Sequence, residues 1–376
     1  MKKILYLLLL LLLACENHSN SDLIDIETVK NPSLFLKWNK AYPDDSIDKS
    51  IIGLKWALSY IGAKLPKDEI GISYVNNLIL IDINRLGFNL NTIEKLSILN
   101  TKIKATNEYQ TTNAIDLGRY VTLLIGASEH YYELIETPKT LDEVLKPYTL
   151  LSQKGYVNNS GVSLEHRIIQ FSEQIGFNQV FLSEEVDPVT GDVYEYETIE
   201  LLPNGQLRFG IFDINGNRIN NADATHSNAG KPAKCMWCHE SNIQPLFYPN
   251  NDYVGFLSFS NFRETLFGFR ENNQNQKLAL TDGVDFAQTQ QHTLTELLYI
   301  SFMEPSVERL SLEWNLSIAQ VQEILSGLPT HVYDEFPFLG NLYHRQDIEA
   351  LAPFQGLTVS SQVREASVIE VNHLND

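Results

Sequence analysis

Two cysteines and a histidine stand together in the C-terminal half of the chain. The stretch reads Cys235-Met236-Trp237-Cys238-His239, and the 376 residues contain only three cysteines in all. Thiols three residues apart lie on the same face of one helical turn, and the imidazole of the next residue lies beside them. This spacing predicts that the two sulfurs and the imidazole act together on one chemical group.

Three kinds of chemistry use a pair of thiols at this spacing. The two sulfurs can add to the vinyl groups on one edge of a haem while the histidine binds the iron. They can form a redox disulfide, although that use expects a helix start soon after a strand, and the residues just upstream are typical of a loop. They can bind zinc, but no second CxxC or HxxxH pair completes the ligand set. The haem interpretation is favoured, and the other two stay open.

The motif resembles the haem-attachment site of c-type cytochromes, and Cys235, Cys238 and His239 carry the resemblance. It implies one covalently bound haem c, His239 as the proximal iron ligand and one-electron transfer as the default activity. It also implies export, because haem c is attached on the outer side of the cytoplasmic membrane. Since the motif occurs once, the resemblance does not extend to dihaem peroxidases.

The second axial ligand of the iron is less defined by the sequence. Met303 follows His239 at a separation that small single-haem cytochromes often use for an axial methionine. It lies in an apolar helical pattern, however, where a methionine often only fills space in the hydrophobic core. The alternatives are His226, His331 or no protein ligand, and a lone histidine is more often a polar surface or capping residue.

Apolar side chains beside the motif are expected to cover the cofactor. A haem is a large apolar plate that must be shielded from water. Trp237, Pro245 and Phe247 are the candidate contacts. Ordinary core packing explains the same residues equally well.

The N-terminus has the pattern of an export signal. Two lysines precede an apolar run from Ile4 to Ala14, which is too short to span a bilayer. The end of the run resembles the lipobox of bacterial lipoproteins, which implies cleavage before Cys15 and acyl chains on that cysteine as a membrane anchor. Glu16 at the next position favours the outer membrane. The resemblance therefore implies a lipid-anchored protein of the cell envelope.

The patterns along the chain predict an α+β protein. We divide it into a signal peptide (1–14), a lipidated tether (15–29), an α-rich domain of unknown role with one short strand (30–150), an antiparallel β meander (151–219) and a helical, cytochrome c-like monohaem domain (220–376). The divisions follow helical spacing in the first and last domains and short β-branched and aromatic runs in the meander.

Local signals place some elements individually. Residues 44–62 have the pattern of a capped helix, with Ser46 among its candidate N-caps. Asn204-Gly205 predicts a hairpin with a type I′ turn, in which both central residues have positive φ. Ser317 is expected to cap a helix near the C-terminus.

The formal net charge of −19 limits the partners that we expect. An acidic surface repels the phosphates of nucleic acids and anionic lipid headgroups, so no nucleic acid partner is expected. The membrane is expected to be contacted through the lipid on Cys15. A basic redox partner protein would complement the charge, and solubility alone explains it as well.

These features favour a lipid-anchored monohaem c-type cytochrome that transfers electrons in the cell envelope. A haem enzyme is the main alternative, because residues 30–215 are long enough to supply a pocket for peroxide, oxygen or another small molecule. A haem-based sensing or binding module of an envelope complex is the third hypothesis.

Overall fold

The computed structural model describes residues 29–375. Within them the chain is a mixed α+β protein with twelve α-helices, one four-stranded sheet and one five-stranded sheet. The predicted signal peptide and the lipidation of Cys15 lie outside the described residues. Among residues 29–375, no helix combines the length and the hydropathy that a membrane span requires.

A small four-stranded sheet lies in the N-terminal region, where the sequence predicts only one strand. The second and third strands form a hairpin around Asn76, which has a left-handed φ of 57°. Strands of two to four residues are too short to show alternation of apolar and polar positions, which is why three of them are not predicted. The strands are β1 (Leu34–Lys37), β2 (Ile72–Val75), β3 (Leu78–Ile81) and β4 (Ile115–Asp116), in the order β2-β3-β1-β4.

Six helices lie in the same N-terminal region as this sheet, in agreement with the predicted helical content of the region. The helix predicted over 44–62 is confirmed, and its N-cap is Ser46, whose side chain accepts a hydrogen bond from the backbone N–H of Lys49. The helices are α1 (Ile47–Tyr60), α2 (Leu90–Lys104), α3 (Asn107–Thr112), α4 (Leu117–Ile125), α5 (Ser128–Leu134) and α6 (Leu141–Leu145).

The predicted meander is confirmed as a five-stranded antiparallel sheet in which each strand pairs with the next along the chain. One face packs Val180, Leu182 and Phe212 against α6. The other face points towards the helix that carries the two cysteines. The strands are β5 (Gly155–Val157), β6 (His166–Phe171), β7 (Val180–Val186), β8 (Val193–Leu201) and β9 (Leu207–Asp213).

The turn between β8 and β9 is not of the predicted type I′. Gly205 has a φ of 85°, but Asn204 does not have a positive φ. The amide of Asn204 instead donates hydrogen bonds to the carbonyls of Ser59 and Ala63, at 2.8 and 2.9 Å. A tertiary contact with the end of α1 therefore determines the conformation of this turn, and the local preference of the Asn-Gly pair does not.

The last part of the chain is helical up to about residue 351 and irregular beyond it. Ser317 caps its helix as predicted, and its side chain accepts from the backbone of Gln320. The helices are α7 (Pro232–His239), α8 (Phe259–Leu278), α9 (His292–Met303), α10 (Val307–Trp314), α11 (Ile318–Ile324) and α12 (Arg345–Ile348).

Helix α9 lies in close contact with α1 and α4 of the N-terminal region. A Cβ atom at Gly53 would lie 2.6 Å from the carbonyl oxygen of Leu294, and one at Gly118 would lie 2.6 Å from that of Leu298. Both glycines are therefore needed for this backbone approach. The main hydrophobic core is correspondingly continuous from Leu34 into α9, whereas α10, α11 and α12 pack around a separate small core that includes Leu310 and Trp314.

A buried network of charges joins α9, α10 and α12. Glu313 accepts hydrogen bonds from Arg345 at 2.7 and 2.9 Å and also pairs with Arg309, which in turn binds Asp116. The guanidinium of Arg345 lies 4.0 Å from the centre of the Phe302 ring. Burial alone would raise the pKa of Glu313, but Arg345 and Arg309 outweigh it and lower the pKa to about 2.

Glu313→Gln should destabilise the fold and make its free energy of unfolding less dependent on pH under acidic conditions. The carboxylate stabilises the folded state fully above pH 4.5, and this contribution, about 3 kcal/mol, is lost as the pH falls towards 2. The variant also leaves two buried arginines short of a partner, so we expect a loss of about 3–5 kcal/mol at pH 7. Urea unfolding between pH 7 and 3 measures both effects.

Glu323→Gln is the matched control, because this exposed carboxylate on α11 forms no ion pair among the described residues. It should change the free energy of unfolding by less than about 0.5 kcal/mol. Equal losses in the two variants would contradict the stabilising effect assigned to the network.

Candidate cofactor site

Helix α7 presents both cysteines and the histidine to one side. Pro232 occupies its first turn, where a fixed φ and a missing N–H are tolerated, and Glu240 ends it with a left-handed φ of 57°. Met236 faces the core and is 3% exposed. The helix therefore exposes Cys235 and Cys238 on the side away from this contact, with the histidine next to them.

This side of α7 borders a cavity of about 650 Å³. The volume lies within the roughly 300–1,000 Å³ range of cofactor and ligand sites. Cys235, Cys238 and His239 all line it. The three residues that the sequence predicts to act together therefore meet one large space.

The β meander forms the opposite wall. Alternate residues on three adjacent strands face the cavity, and their register places Ile169 opposite Ser183 and Ser183 opposite Glu197. The wall-forming side chains of these strands include Arg167, Ile169, Phe181, Ser183, Glu197 and Ile199. The sequence gives no sign that the meander takes part in the site, because its alternation indicates a covered face without identifying what covers it.

The segment after α7 closes a further side. The three predicted contacts, Trp237, Pro245 and Phe247, all line the cavity. Phe247 stacks on Phe262 of α8, with ring centroids 5.3 Å apart and planes at 11°. The aromatic side chain is thus held against a helix instead of lying free on a loop.

His239 has an unpaired nitrogen in this apolar setting. Its Nδ1 atom is buried without a hydrogen-bond partner among the described residues, and its ring lies 5.9 Å from that of Phe209. Burial, and then the positive charge of Arg167, lower the pKa of His239 to about 4. The imidazole is therefore neutral at pH 7, which is the form that binds a metal.

The thiols differ from those of a redox disulfide. Burial raises the pKa of Cys235 well above its ordinary value and also raises that of Cys238. Thioredoxin-type cysteines need a lowered pKa, because the thiolate is the attacking species. A zinc site would also require thiolates, and His239 is the sole further histidine or cysteine ligand that lines the cavity within residues 29–375.

None of the three candidates for the second axial ligand lines this cavity. Met303 borders a separate space of about 170 Å³. His226 stacks on Tyr194 with ring centroids 3.8 Å apart, and His331 contacts Glu304 at 2.8 Å. In the part of the chain that the structure describes, the cavity wall thus contains one histidine and no methionine.

A cluster of buried charges fixes the polar part of the wall. Arg167 pairs with Glu185 and with Glu197, the latter at 3.2 Å. Glu195 lies beside them, and burial raises its pKa to about 8 and also raises that of Glu185. At least one of these carboxyl groups is therefore protonated near neutral pH, while the arginine keeps its charge.

Lys231, directly before α7, anchors the helix to the end of α4 and to the C-terminal segment. Its Nζ atom donates to the carbonyls of Gly126 and Gln362, each at 2.9 Å, and to Ser367 and Glu370, each at 2.6 Å. The side chain is 1% exposed. These four bonds satisfy an ammonium that would be costly to bury alone.

Comparison with known proteins gives no family for this chain. It matches no family model, no curated protein and no solved structure. What the cavity binds must therefore be inferred from its own residues and dimensions.

Lys231→Met should destabilise the fold by about 3 kcal/mol or more, because it leaves a carboxylate and three further acceptors without their donor. Chemical denaturation measures the loss. Lys234→Met is the matched control, since this lysine one turn further on pairs with Glu365, which is 56% exposed. We expect less than about 1 kcal/mol for the control. Similar losses for the two lysines would show that the buried Lys231 contributes no more to the free energy of unfolding than the surface pair does.

Proposed function

We propose that this protein is a lipid-anchored monohaem c-type cytochrome of the cell envelope. Cys235 and Cys238 would hold haem c covalently, and His239 would be its proximal ligand. The observation that supports this most is that all three side chains line one cavity of about 650 Å³. When bound, the haem would supply one-electron redox chemistry.

The state of the donor groups fits this cofactor. Both thiols face the cavity, and burial raises the pKa of each, so they keep the protons that thioether formation would transfer to the vinyl carbons. His239 is neutral and has an unpaired nitrogen. The donor set therefore needs no prior change of charge to take up the group.

The walls supply the apolar cover that a haem needs. Phe181 and Ile199 from the meander and Phe247 from the opposite segment give the cavity an apolar lining. Arg167 and Lys234 are cationic side chains in its lining, and they complement the carboxylates that a haem carries. The same walls would limit the contact of the redox centre with bulk solvent, and the net charge of −19 suits a basic electron-transfer partner.

Replacing both cysteines by alanine tests the proposal. Protein from a host that matures c-type cytochromes should keep its haem after acid-acetone extraction, whereas Cys235→Ala with Cys238→Ala should lose it, because only the thioether bonds resist extraction. Trp237→Phe, on the same helix and in the same cavity, is the matched control and should keep the haem. Wild-type protein without a Soret band or the mass of a porphyrin would refute the proposal.

One observation favours a second candidate function, namely ligand binding or redox chemistry at a haem with an open coordination position. Met303, His226 and His331 all lie outside the cavity lining. Arg167, held by Glu185 and Glu197, lies in the wall as a permanent hydrogen-bond donor. This arrangement suits a small ligand such as peroxide, oxygen or another small molecule, in an enzyme or in a sensing module.

Carbon monoxide binding separates the two functions. With an open position, the reduced protein should bind carbon monoxide rapidly, the oxidised protein should show high-spin bands, and Met303→Ala should leave the spectrum unchanged. A low-spin spectrum that does not change on addition of carbon monoxide, and that loses its sulfur-to-iron band in Met303→Ala, would instead favour electron transfer with a methionine ligand. His226→Ala and His331→Ala provide the corresponding tests for the two histidines.

A further inference from the structure

Two histidines and a glutamate outside the haem cavity form a compact cluster. Glu304 directly follows α9, His331 lies in the segment after α11, and His344 directly precedes α12. One ligand atom from each lies within 4.8 Å of the other two. Residues far apart in the chain thus bring three metal-binding groups to one place.

Backbone hydrogen bonds hold the three segments together. His331 and Leu342 exchange two bonds, of 3.0 and 2.9 Å, which form an antiparallel bridge. The next residue, Tyr343, donates to the carbonyl of Pro305 at 3.0 Å. His344 follows Tyr343 and Glu304 precedes Pro305, so the main chain fixes the positions of all three groups.

The side chains lie within reach of a shared partner. The Nε2 atom of His331 lies 2.8 Å from a carboxylate oxygen of Glu304. The rings of His331 and His344 stack with centroids 4.2 Å apart and planes at 13°. The side chains of Glu304 and His331 are 25% and 30% exposed, and His344 is exposed. The cluster is therefore open to an ion from solvent.

We propose that Glu304, His331 and His344 bind one divalent first-row transition-metal ion, for which Zn²⁺ is the probe. Two imidazoles and one carboxylate are the donor set of such ions, whereas Ca²⁺ and Mg²⁺ prefer oxygen ligands alone. Around a tetrahedral ion with bonds of about 2.0–2.1 Å, ligand atoms lie about 3.3 Å apart. Side-chain rotations that move the ligand atoms by up to about 1.5 Å bring them from within 4.8 Å to this spacing, and solvent supplies the fourth ligand.

The surrounding charge permits a cation. Two arginines line the adjoining cavity of about 170 Å³, but Arg345 is paired with Glu313 and Arg364 lies 3.6 Å from Glu335. The net charge of −19 further favours cations at the surface. Met303, in the wall of that cavity, offers a thioether close to this site and away from the haem.

Calorimetric titration with ZnCl₂ of chelator-treated protein, purified from a host that matures c-type cytochromes, tests the proposal. We expect one site per chain, and His331→Gln with His344→Gln should weaken it at least about tenfold. Glutamine keeps an N–H that can donate to Glu304, so the fold is preserved, and circular dichroism checks this. With Cu²⁺ as a second probe, electron paramagnetic resonance should show coupling to two nitrogens that disappears in the same variant.

His226→Gln is the matched control. This histidine also lies beside a glutamate, Glu165, at 3.4 Å and stacks on an aromatic ring, but that ring belongs to Tyr194 and not to a second histidine. Zinc binding should be unchanged in the control. Absence of zinc binding in the wild type, or equal affinity in the wild type and the double glutamine variant, would overturn the proposal.

The thiols require a separate control, because two cysteines without haem are themselves candidate ligands for added zinc. The variant with both cysteines replaced by alanine should keep the zinc site at Glu304. Loss of the site in that variant, together with its retention in the glutamine variant, would place the ion on the thiols and overturn the proposal. The result is independent of whether the chain binds haem, so the two proposals can fail separately.

Discussion

The buried ammonium of Lys231 is the interaction on which the arrangement of the cavity depends. A charge inside the protein is stable only while all its partners stay in place. Those partners come from the end of α4 and from the irregular C-terminal segment, through Gly126 and Glu370. The start of α7 is therefore tied to both, and the meander faces the same helix across the cavity. A short helix that presents two thiols to a cavity must be held in this way, since its eight residues alone provide little stability.

Much of the local structure could be predicted from the sequence, because the signals are local. Ser46 and Ser317 cap their helices through bonds to residues three positions away. The long strands of the meander are separated by turns that are explicit in the sequence. The grouping of Trp237 with Pro245 and Phe247 followed from their nearness to the cysteines in the chain, and all three line the cavity. The sequence predicted both the motif and its immediate surroundings, with the haem itself still a proposal.

The rest depends on contacts between distant parts of the chain. Arg167 and Glu197 lie in the cavity wall, but nothing in their own segments distinguishes them from surface charges on a strand. The placement of Met303 depends on the direction in which α9 crosses the N-terminal helices. Asn204 shows the same limit on a smaller scale, because its turn is set by two carbonyls at the end of α1. Local pattern determines secondary structure, whereas tertiary packing decides which faces meet.

The glycine contacts of α9 also determine which parts of the chain can be separated from the rest. Gly53 and Gly118 let the backbones of α1 and α4 approach this helix so closely that neither side has room for a methyl group. A fragment that began near residue 220 would leave α9 without either neighbour and α7 without the strands opposite it. Apolar faces of both helices would then meet water. The cysteine motif in this protein is thus not a portable module, because the cavity that it borders is built from strands and helices spread over residues 157–266.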